Sequence, residues 1–423
     1  MKRGVVAHLL VVESWVGSMS RLLPRALQEG GHTFTFLTRD LHHYLRTAPE
    51  GAAHPLLGAR NVVTADTNAP ESLLPYVERL HEVLGFDGVL TSCDYYLPTA
   101  ALAAERLGLP APDAEAVRSS CRKDATRRLL DEAGVPGPRF AVHEEWAELA
   151  AAARDIGYPL VVKPVDLCAG MFVRRVDDEA QLAAAVRAMG GFPVNARGQR
   201  REPAVLLEEL LDGPEVSVET VSHAGVVQVV GVTDKSIGGA PAFIETGHMF
   251  PAALPAAEAE DAVRTALAAL KALGLTEGVV AHTEIKLTSA GPRVVEVNPR
   301  PAGNRITELV RHVTGIDLVA AFVDVSLGRA PDLRRTDTGL RSAAIGFLVP
   351  ESTGTLTALD DTGVRTLPDV LEVELPGPGR HVRAAGSNNE YLGHVMVGDT
   401  EGAGARDRVE YLLTGVRSGL VIR

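Results

Sequence analysis

The segment Val279–Arg305 constrains the fold most, because it places two β-branched apolar runs on either side of a turn-forming stretch. The runs VVAHTEIKL and RVVEVN flank Thr288–Pro292, so the sequence predicts a β-hairpin. A turn centred on that stretch places Glu284 opposite Glu296. Residues two apart share a strand face, so Asn298 lies on the face of Glu296.

Two glutamates that face each other across a hairpin are unfavourable without a cation. Opposed side chains in such a ladder have Cβ atoms roughly 5 Å apart, and like charges at that distance repel. A divalent cation between them would turn the repulsion into attraction, and oxygen-only ligands favour Mg²⁺ over zinc. The alternative interpretation is a solvated hairpin face that carries two unrelated glutamates.

Composition and charge limit the classes of protein to which the chain can belong. A chain of 423 residues predicts about three domains. The net charge of −12 and the absence of a Lys/Arg cluster disfavour nucleic-acid binding. The three cysteines include no CxxC pair, which indicates a reducing compartment. The sequence contains no apolar run of about 18 residues that could span a membrane, and its apolar start resembles a buried strand more than a signal peptide. The sequence therefore predicts a cytoplasmic protein without membrane attachment.

The first hundred residues alternate between strand and helix signals, beginning with a strand over Val5–Val12. This alternation predicts a parallel sheet with crossover helices. The loop Glu13–Gly17 then lies at the sheet edge where open α/β sheets bind ligands, although no dinucleotide fingerprint or P-loop occurs. Asp94 follows another predicted strand, either as a substrate contact or as an ordinary helix cap.

Two lysines stand where positive charge needs an explanation. Lys123 lies in the first turn of a predicted helix, where the dipole favours anions, so it suits phosphate binding or is a plain surface lysine. Lys163 ends the apolar run of GYPLVVKP and must either reach water or meet an anion. The following loop, 166–173, has a single glycine and is a poor phosphate cradle by itself.

Later segments supply further candidates. The strand VLLEE and the turn after it predict a hinge between two lobes, with Glu208, Glu209 and Glu215 either at a nucleotide or at a solvated strand end. A flexible tip is predicted over 190–201. A loop is predicted over 234–248, and its His248 is either a substrate contact or a structural histidine. Residues 336–423 are predicted to form a separate small unit.

These motifs occur in an order that resembles a known superfamily. Lys123, then VVKP with its loop, then EELLDGPEVSVE, then HTE followed by EVNPR resemble the ATP-grasp carboxylate–amine ligases over roughly residues 1 to 330. The C-terminal unit resembles the extra domain of the biotin-carboxylase-like and L-amino-acid-ligase members. The implied α/β fold has a Rossmann-like pre-ATP-grasp domain (1–118), an ATP-grasp domain with a small lobe (119–204) and a large lobe (205–335), and a C-terminal α+β domain (336–423).

The resemblance implies a role for each matching residue. Lys123 and Lys163 would contact ATP phosphates, and Glu284, Glu296 and Asn298 would hold Mg²⁺. The other assignments are a nucleotide hinge at Glu208, Glu209 and Leu211, a ribose acid at Glu215, a nucleotide or substrate contact at Lys235, and catalytic or substrate-contacting positions at His248, Arg300 and Arg305.

The implied reaction is ATP-dependent amide formation. A carboxylate, by this resemblance that of an amino acid, is activated as an acyl phosphate and then joined to an amine, with release of ADP and phosphate. ATP and two Mg²⁺ ions, or Mn²⁺, are the implied cofactors, the partners are small molecules, and a homodimer is compatible with the resemblance. The alternatives are a purine-biosynthesis-type or biotin-carboxylase-like enzyme, or a nucleotide-binding regulatory protein with a decayed site.

Overall fold

The N-terminal unit contains a parallel sheet, as predicted, and the order of its strands is β3-β2-β1-β4. The computed structural model describes residues 6–45 and 54–423, so Val5 of the predicted first strand lies outside the described residues. The strands are β1 (His8–Val12), β2 (Thr33–Thr38), β3 (Asn61–Thr64) and β4 (Gly88–Leu90). The helices are α1 (Met19–Glu29), α2 (Leu41–Leu45), α3 (Pro70–Leu84) and α4 (Leu97–Arg106), followed by α5 (Ala114–Ser120) and α6 (Lys123–Glu132).

The second sheet forms a small lobe with strand order β5-β8-β6-β7, all antiparallel. Its elements are β5 (Phe140–His143), α7 (Trp146–Ile156), β6 (Leu160–Pro164), β7 (Arg174–Val176), α8 (Glu179–Gly190) and β8 (Val205–Glu209). Leu149 and Leu182 of the two helices are buried against Leu160 and Leu207 of the sheet. Burying each such side chain contributes roughly 1.5–3 kcal/mol, so the lobe has a core of its own.

The central sheet has the strand order β13-β12-β9-β10-β11-β14-β18-β16. Its first part contains β9 (Glu215–His223), β10 (Val226–Gly238), β11 (Ile244–Phe250), α9 (Ala256–Ala272), β12 (Val279–Thr288), β13 (Gly291–Asn298), α10 (Ile306–Thr314) and α11 (Leu318–Ser326). The segment that follows contains β14 (Ser342–Leu348), β15 (Gly354–Ala358), β16 (Val370–Glu374), β17 (His381–Val382), β18 (Gly393–Asp399), α12 (Ala405–Ser418) and β19 (Val421–Ile422). Strands β14, β18 and β16 complete the central sheet, whereas β17, β15 and β19 form a three-stranded sheet of their own.

The C-terminal segment, predicted as a unit over 336–423, contributes strands to the central sheet as well as a small sheet of its own. Strand β14 pairs with β11, with Gly346 opposite Gly247, so β14, β18 and β16 extend the central sheet. One apolar cluster also joins the N-terminal unit to this sheet through α10 and α11, and it includes Leu23, Leu309 and Ile345. The N-terminal unit and the C-terminal strands are therefore fixed around the same centre. The four predicted domain boundaries stay predictions.

Two predicted irregular segments are ordered. The loop predicted over 234–248 is wrong, because 234–238 belong to β10 and 244–248 to β11, which pair with Lys235 opposite His248. The tip predicted to be flexible, 190–201, docks on the N-terminal unit through hydrogen bonds of Arg197. Within the described residues, no helix is both long and apolar enough to cross a membrane.

Candidate active site

A cavity of about 690 Å³ lies where the N-terminal unit, the small lobe and the central sheet meet. Its size is in the usual range for small-molecule sites. Eleven of the thirteen predicted site residues line it: Lys123, Lys163, Glu208, Glu209, Leu211, Glu215, Glu284, Glu296, Asn298, Arg300 and Arg305. Lys235 and His248 do not line it. The structure thus brings together residues from four distant stretches of the chain.

The predicted facing of Glu284 and Glu296 is confirmed, although the predicted turn is wrong. The turn contains only two residues, since Thr288 already pairs with Gly291. A regular ladder from that turn would put Val295 opposite Glu284. The register shifts at this point, so Val295 is the extra residue of a β-bulge and Glu284 pairs with Glu296.

Arg127 of α6 holds this bulge in place. Its Nη1 and Nη2 donate to the carbonyl oxygens of Val294 and Val295 at 2.9 and 2.7 Å, and its Nε donates to Glu208 Oε1 at 2.6 Å. The guanidinium is buried, and its planar fork allows all three bonds at once. Sequence reasoning missed Arg127, because the carbonyls that it binds belong to a bulge that no local pattern announced.

The two lysines predicted at phosphates are paired with carboxylates. Lys123 Nζ lies 2.7 Å from Glu296 Oε1 and donates to the Leu167 carbonyl at 2.6 Å. Burial disfavours its charge, but Glu296 outweighs burial and raises the pKa of Lys123. Lys163 Nζ lies 2.6 Å from Glu208 Oε2, and burial there lowers the pKa of Lys163. Both lysines line the cavity, and each is held there by a carboxylate.

Glu284 is neutralised by protein cations on its other side. Lys235 Nζ lies 2.7 Å from its Oε1, and His282 Nε2 lies 3.2 Å from the same atom. Burial favours the neutral acid, but Lys235 and His282 lower the pKa of Glu284 to about 2. His282 is itself held by buried Glu219, which overcomes burial and raises the pKa of His282 to about 9. Glu284 is therefore held in its ionised form.

Lys235 and His248 support the cavity wall from behind. The Lys235 side chain is 1% exposed and lies 3.1 Å from Glu215 and 3.3 Å from Glu245. The His248 side chain is fully buried, and its Nε2 lies 3.0 Å from Glu245 Oε2. The side chains of Lys235 and His248 point away from the cavity, because of their positions on β10 and β11. From there they contact and orient Glu215, Glu245 and Glu284.

Arg300 is anchored by the N-terminal unit. Its Nε donates to Asp94 Oδ1 at 2.7 Å, and Trp15 Nε1 donates to Asp94 Oδ2 at 2.7 Å. All three side chains line the cavity. Asp94 therefore lies in the cavity wall and anchors Arg300. The loop Glu13–Gly17, predicted at a ligand-binding edge, contributes Trp15 to the cavity, although the sequence did not single out that residue.

Arg305 is engaged with acids at the far side of the cavity. Its Nη1 lies 2.8 Å from both Glu308 and Glu372, and its Nη2 lies 3.2 Å from Glu374. Arg305 has a φ of +63°, a left-handed value that is uncommon for a residue with a side chain. These contacts join the tail of the hairpin to strand β16.

The atypical loop 166–173 is held from the C-terminal segment. Ala169 and Phe172 adopt left-handed conformations with φ of 56° and 59°. The Ala169 carbonyl accepts the backbone N–H of Asn388 at 3.1 Å, and Arg174 Nη1 donates to the Gly386 carbonyl at 3.0 Å. A loop with a single glycine can therefore still lie over the cavity, because a neighbouring segment fixes its backbone.

Three family models match the chain in the order of these units. The ATP-grasp N-terminal domain matches residues 25–111, the ATP-grasp domain matches 156–308, and L-amino acid ligase C-terminal domain 2 matches 346–421. The second match contains the acidic hairpin, and the third contains the strands that complete the central sheet.

Two relatives with named activities are similar to this chain. Human carnosine synthase 1 is 29% identical over 70% of this chain, and alanine–anticapsin ligase of Bacillus subtilis is 26% identical over 63%. The matches span 38% and 60% of the lengths of those two proteins.

A crystal structure of L-amino acid ligase from Bacillus licheniformis superposes over 100% of this chain and 99% of its own, with a TM-score of 0.78 and 25% identity. The resemblance noted in the sequence is therefore confirmed in domain content and in fold. This chain belongs to the ATP-grasp superfamily of ligases and carries the C-terminal domain of the L-amino acid ligases.

Proposed function

We propose that this protein uses ATP to activate the carboxylate of an amino acid as an acyl phosphate and joins it to an amine. The single observation that carries the proposal is the cavity in which Lys123 and Lys163 face the acidic pair Glu284 and Glu296. The relatives named for dipeptide-type ligation and the C-terminal domain match support the same reaction class.

The chain's own groups suit the positioning of an anionic nucleotide. Lys123 and Lys163 would bind the phosphates, and Lys123 would exchange Glu296 for a phosphate oxygen as it does so. The backbone at Leu211 would meet the adenine, with Glu209 beside it and Glu215 at the ribose. The carboxylate of Glu208 is already committed to Arg127 and Lys163, so its role is to orient Lys163.

The donor set of the hairpin fits Mg²⁺. The carboxylates of Glu284 and Glu296 and the amide oxygen of Asn298 are hard oxygen ligands that line one side of the cavity, which is the chemistry that Mg²⁺ or Mn²⁺ prefers. When bound, two such ions would neutralise charge on the transferring phosphoryl group. His282 and Lys235 hold Glu284 ionised and oriented for this purpose.

The reaction needs little covalent chemistry from the protein. A substrate carboxylate oxygen attacks the γ-phosphorus and ADP leaves; the amine then attacks the acyl carbon and phosphate leaves. Arg300, fixed by Asp94, would stabilise charge on the transferring phosphoryl group and the acyl phosphate. Arg305 lines the other side of the cavity, where it would contact a substrate.

A screen of ADP release over pairs of amino acids and other amines, with mass detection of products, tests the proposal. Glu296→Gln should lower turnover about 100-fold or more, because it removes a carboxylate that neutralises transition-state charge through the metal. Glu260→Gln, an exposed change on α9, is the matched control and should be silent. Near-normal turnover by Glu296→Gln would sink the metal assignment.

Two further measurements separate this function from its alternatives. Oxygen label placed in the carboxylate substrate should appear in the released phosphate, and its absence would rule out an acyl phosphate. Bicarbonate-dependent ADP release would instead indicate a carboxylase-type reaction. ATP binding without stimulation by any acid and amine pair would indicate a regulatory nucleotide-binding protein. A homodimer stays a prediction.

A further inference from the structure

Residues 190–201, between α8 and β8, form a closed turn at the edge of the small lobe. Asn195 organises it: its Oδ1 accepts the backbone N–H groups of Arg197 at 2.9 Å and Gln199 at 3.1 Å, and its Nδ2 donates to Gln199 Oε1 at 2.7 Å. The turn is therefore ordered by its own hydrogen bonds, and Arg197 lies at its tip.

Arg197 leaves the small lobe and enters the N-terminal unit. Only 6% of the residue is exposed, although it stands at the tip of a turn. Its guanidinium donates to the Ser14 carbonyl and to the Tyr44 hydroxyl, and its Cζ lies 5.7 Å from the centre of the Trp15 ring and 5.4 Å from that of Tyr44. A cation held over two aromatic faces is favourable, and more so when it is desolvated.

The backbone of the turn is held by the same unit. The Arg197 carbonyl accepts Arg39 Nη1 at 2.6 Å and Asn68 Nδ2 at 2.9 Å, while Gln199 Nε2 donates to the Tyr95 carbonyl at 3.1 Å. Contacts to both the side chain and the carbonyl of one arginine indicate a built docking site.

Arg197 also lies close to a buried acidic side chain of the N-terminal unit. Glu13 is 1% exposed. Its four hydrogen-bond donors are neutral: the hydroxyls of Thr38, Thr67 and Tyr44 and the backbone N–H of Arg39. Arg197 reaches Glu13 through the shared Tyr44 hydroxyl. Loss of Arg197 would therefore remove a hydrogen bond from the Ser14 carbonyl and from the Tyr44 hydroxyl, beside the loop that carries Trp15.

Trp15 connects this docking site to the reaction site. Its ring contacts Arg197 on one side, and its Nε1 donates to Asp94, which in turn holds Arg300. A continuous path of contacts therefore runs from the tip of the small lobe to the arginine at the cavity.

We propose that Arg197 is a positioning residue: its insertion beside Trp15 fixes the Asp94–Arg300 pair, so that the site is complete only when the small lobe is docked. This inference rests on the proposed ligase function.

Kinetics of Arg197→Ala and Arg200→Ala test the proposal, because Arg200 is an exposed arginine of the same turn. Arg197→Ala should lower kcat about 10- to 100-fold, since misplacing a catalytic group by about 1 Å has an effect of that order. KM for ATP should change much less, because Lys123 and Lys163 are untouched. Arg200→Ala should match the wild type.

Fluorescence reports the docking independently of turnover. The chain has two tryptophans, and in a Trp146→Phe background Trp15 alone emits. Arg197→Ala should shift that emission to the red as the ring meets water, and Arg197→Lys should shift it less. Trp15→Phe removes the donor to Asp94, and Arg197→Ala added to it should lower kcat little further, because both act along one path.

The kcat of Arg197→Ala, the emission of Trp15 and ADP release by the wild type together distinguish the possible roles of Arg197. A wild-type enzyme with normal ADP release and an Arg197→Ala variant within twofold of it in kcat would overturn this proposal and leave the ligase function standing. A red shift without a fall in kcat would reduce Arg197 to a structural contact, and additive effects in the double variant would refute the path through Trp15. A wild-type protein that releases no ADP with any substrate pair would overturn both.

Discussion

The variant Arg127→Met tests whether Arg127 stabilises the bulged hairpin that carries Glu284 and Glu296. Arg127 is 4% exposed and makes three hydrogen bonds, one to Glu208 and two to the carbonyls of the bulge at Val294 and Val295. Methionine keeps the aliphatic stem and removes every donor. Glu208 would retain Lys163 as a partner, whereas both bulge carbonyls would lose theirs.

The magnitude follows from these contacts. Breaking a buried ion pair costs about 3–5 kcal/mol, and each orphaned buried carbonyl about 1–3 kcal/mol, without full additivity between neighbours. We expect a loss of about 3–5 kcal/mol in the free energy of unfolding. The unfolding entropy for 423 residues is about 0.9 kcal/mol/K, so Tm should fall by about 3–6 °C.

The matched control is Arg128→Met on the same helix, where the side chain is 54% exposed and paired with Asp124. Asp124 is buried but keeps Arg122 as a partner, and the Arg128 guanidinium is itself largely solvated, so this variant should lose about 1 kcal/mol or less and at most about 1 °C. Thermal and urea unfolding measure stability, and the Mg²⁺ dependence of ADP release reports the acidic pair. Equal losses in the two variants, or an unchanged Mg²⁺ requirement in Arg127→Met, would refute the role given to the bulge.

Three other outcomes follow from the buried charges. Glu219 raises the pKa of His282 from its ordinary 6.5 to about 9. The contribution of this ion pair to the free energy of unfolding is therefore complete below pH 6.5 and is lost as the pH rises through 9. The free energy of unfolding in urea should then fall by at most about 3 kcal/mol over that range, and His282→Gln should flatten the slope. Lys163→Met should weaken ATP binding in calorimetry by about 10-fold or more, whereas exposed Lys271→Met should not. Burial raises the pKa of Cys93 to about 12 and also raises the pKa of the Cys121 and Cys168 thiols. Iodoacetamide at pH 8 should therefore alkylate the native protein slowly and the unfolded protein at all three cysteines. Rapid labelling of the native protein would contradict this expectation.

Local sequence patterns identified the elements of the site well. Alternating apolar residues and turn signals predicted the parallel N-terminal sheet and the hairpin that carries Glu284 and Glu296. Glu284 faces Glu296 as predicted, but for a reason that the prediction did not contain. The turn is shorter than predicted, which alone would shift the pairing by one residue, and the bulge at Val295 shifts it back. A bulge stabilised by Arg127, which lies far away in the sequence, leaves no local signal.

Long-range pairing explains what the sequence did not reveal. Lys235 looks like a loop residue because its charge is balanced only by Glu215, Glu245 and Glu284, which lie on three other strands. The pairing of β14 with β11 joins residues about a hundred positions apart, so no local pattern showed that C-terminal strands extend the central sheet. His248 was placed at the substrate for the same reason, because only the pairing of β10 with β11 shows that it points inward.

The pairing of Lys123 with Glu296 bears on the order in which metal and nucleotide bind. At 2.7 Å, this ion pair must break before Lys123 can reach a phosphate, and Glu296 is then left without a cation unless Mg²⁺ arrives with the nucleotide. Metal-free ATP should therefore bind weakly to the wild type. Glu296→Gln removes this competition and should bind metal-free ATP more tightly, by about 10-fold if the charged hydrogen bond contributes about 1.5 kcal/mol. The same variant should gain little affinity when Mg²⁺ is added. Calorimetry with ATP in chelator and in Mg²⁺ measures both, and a variant that binds metal-free ATP no better than the wild type would show that Lys123 is not restrained by Glu296.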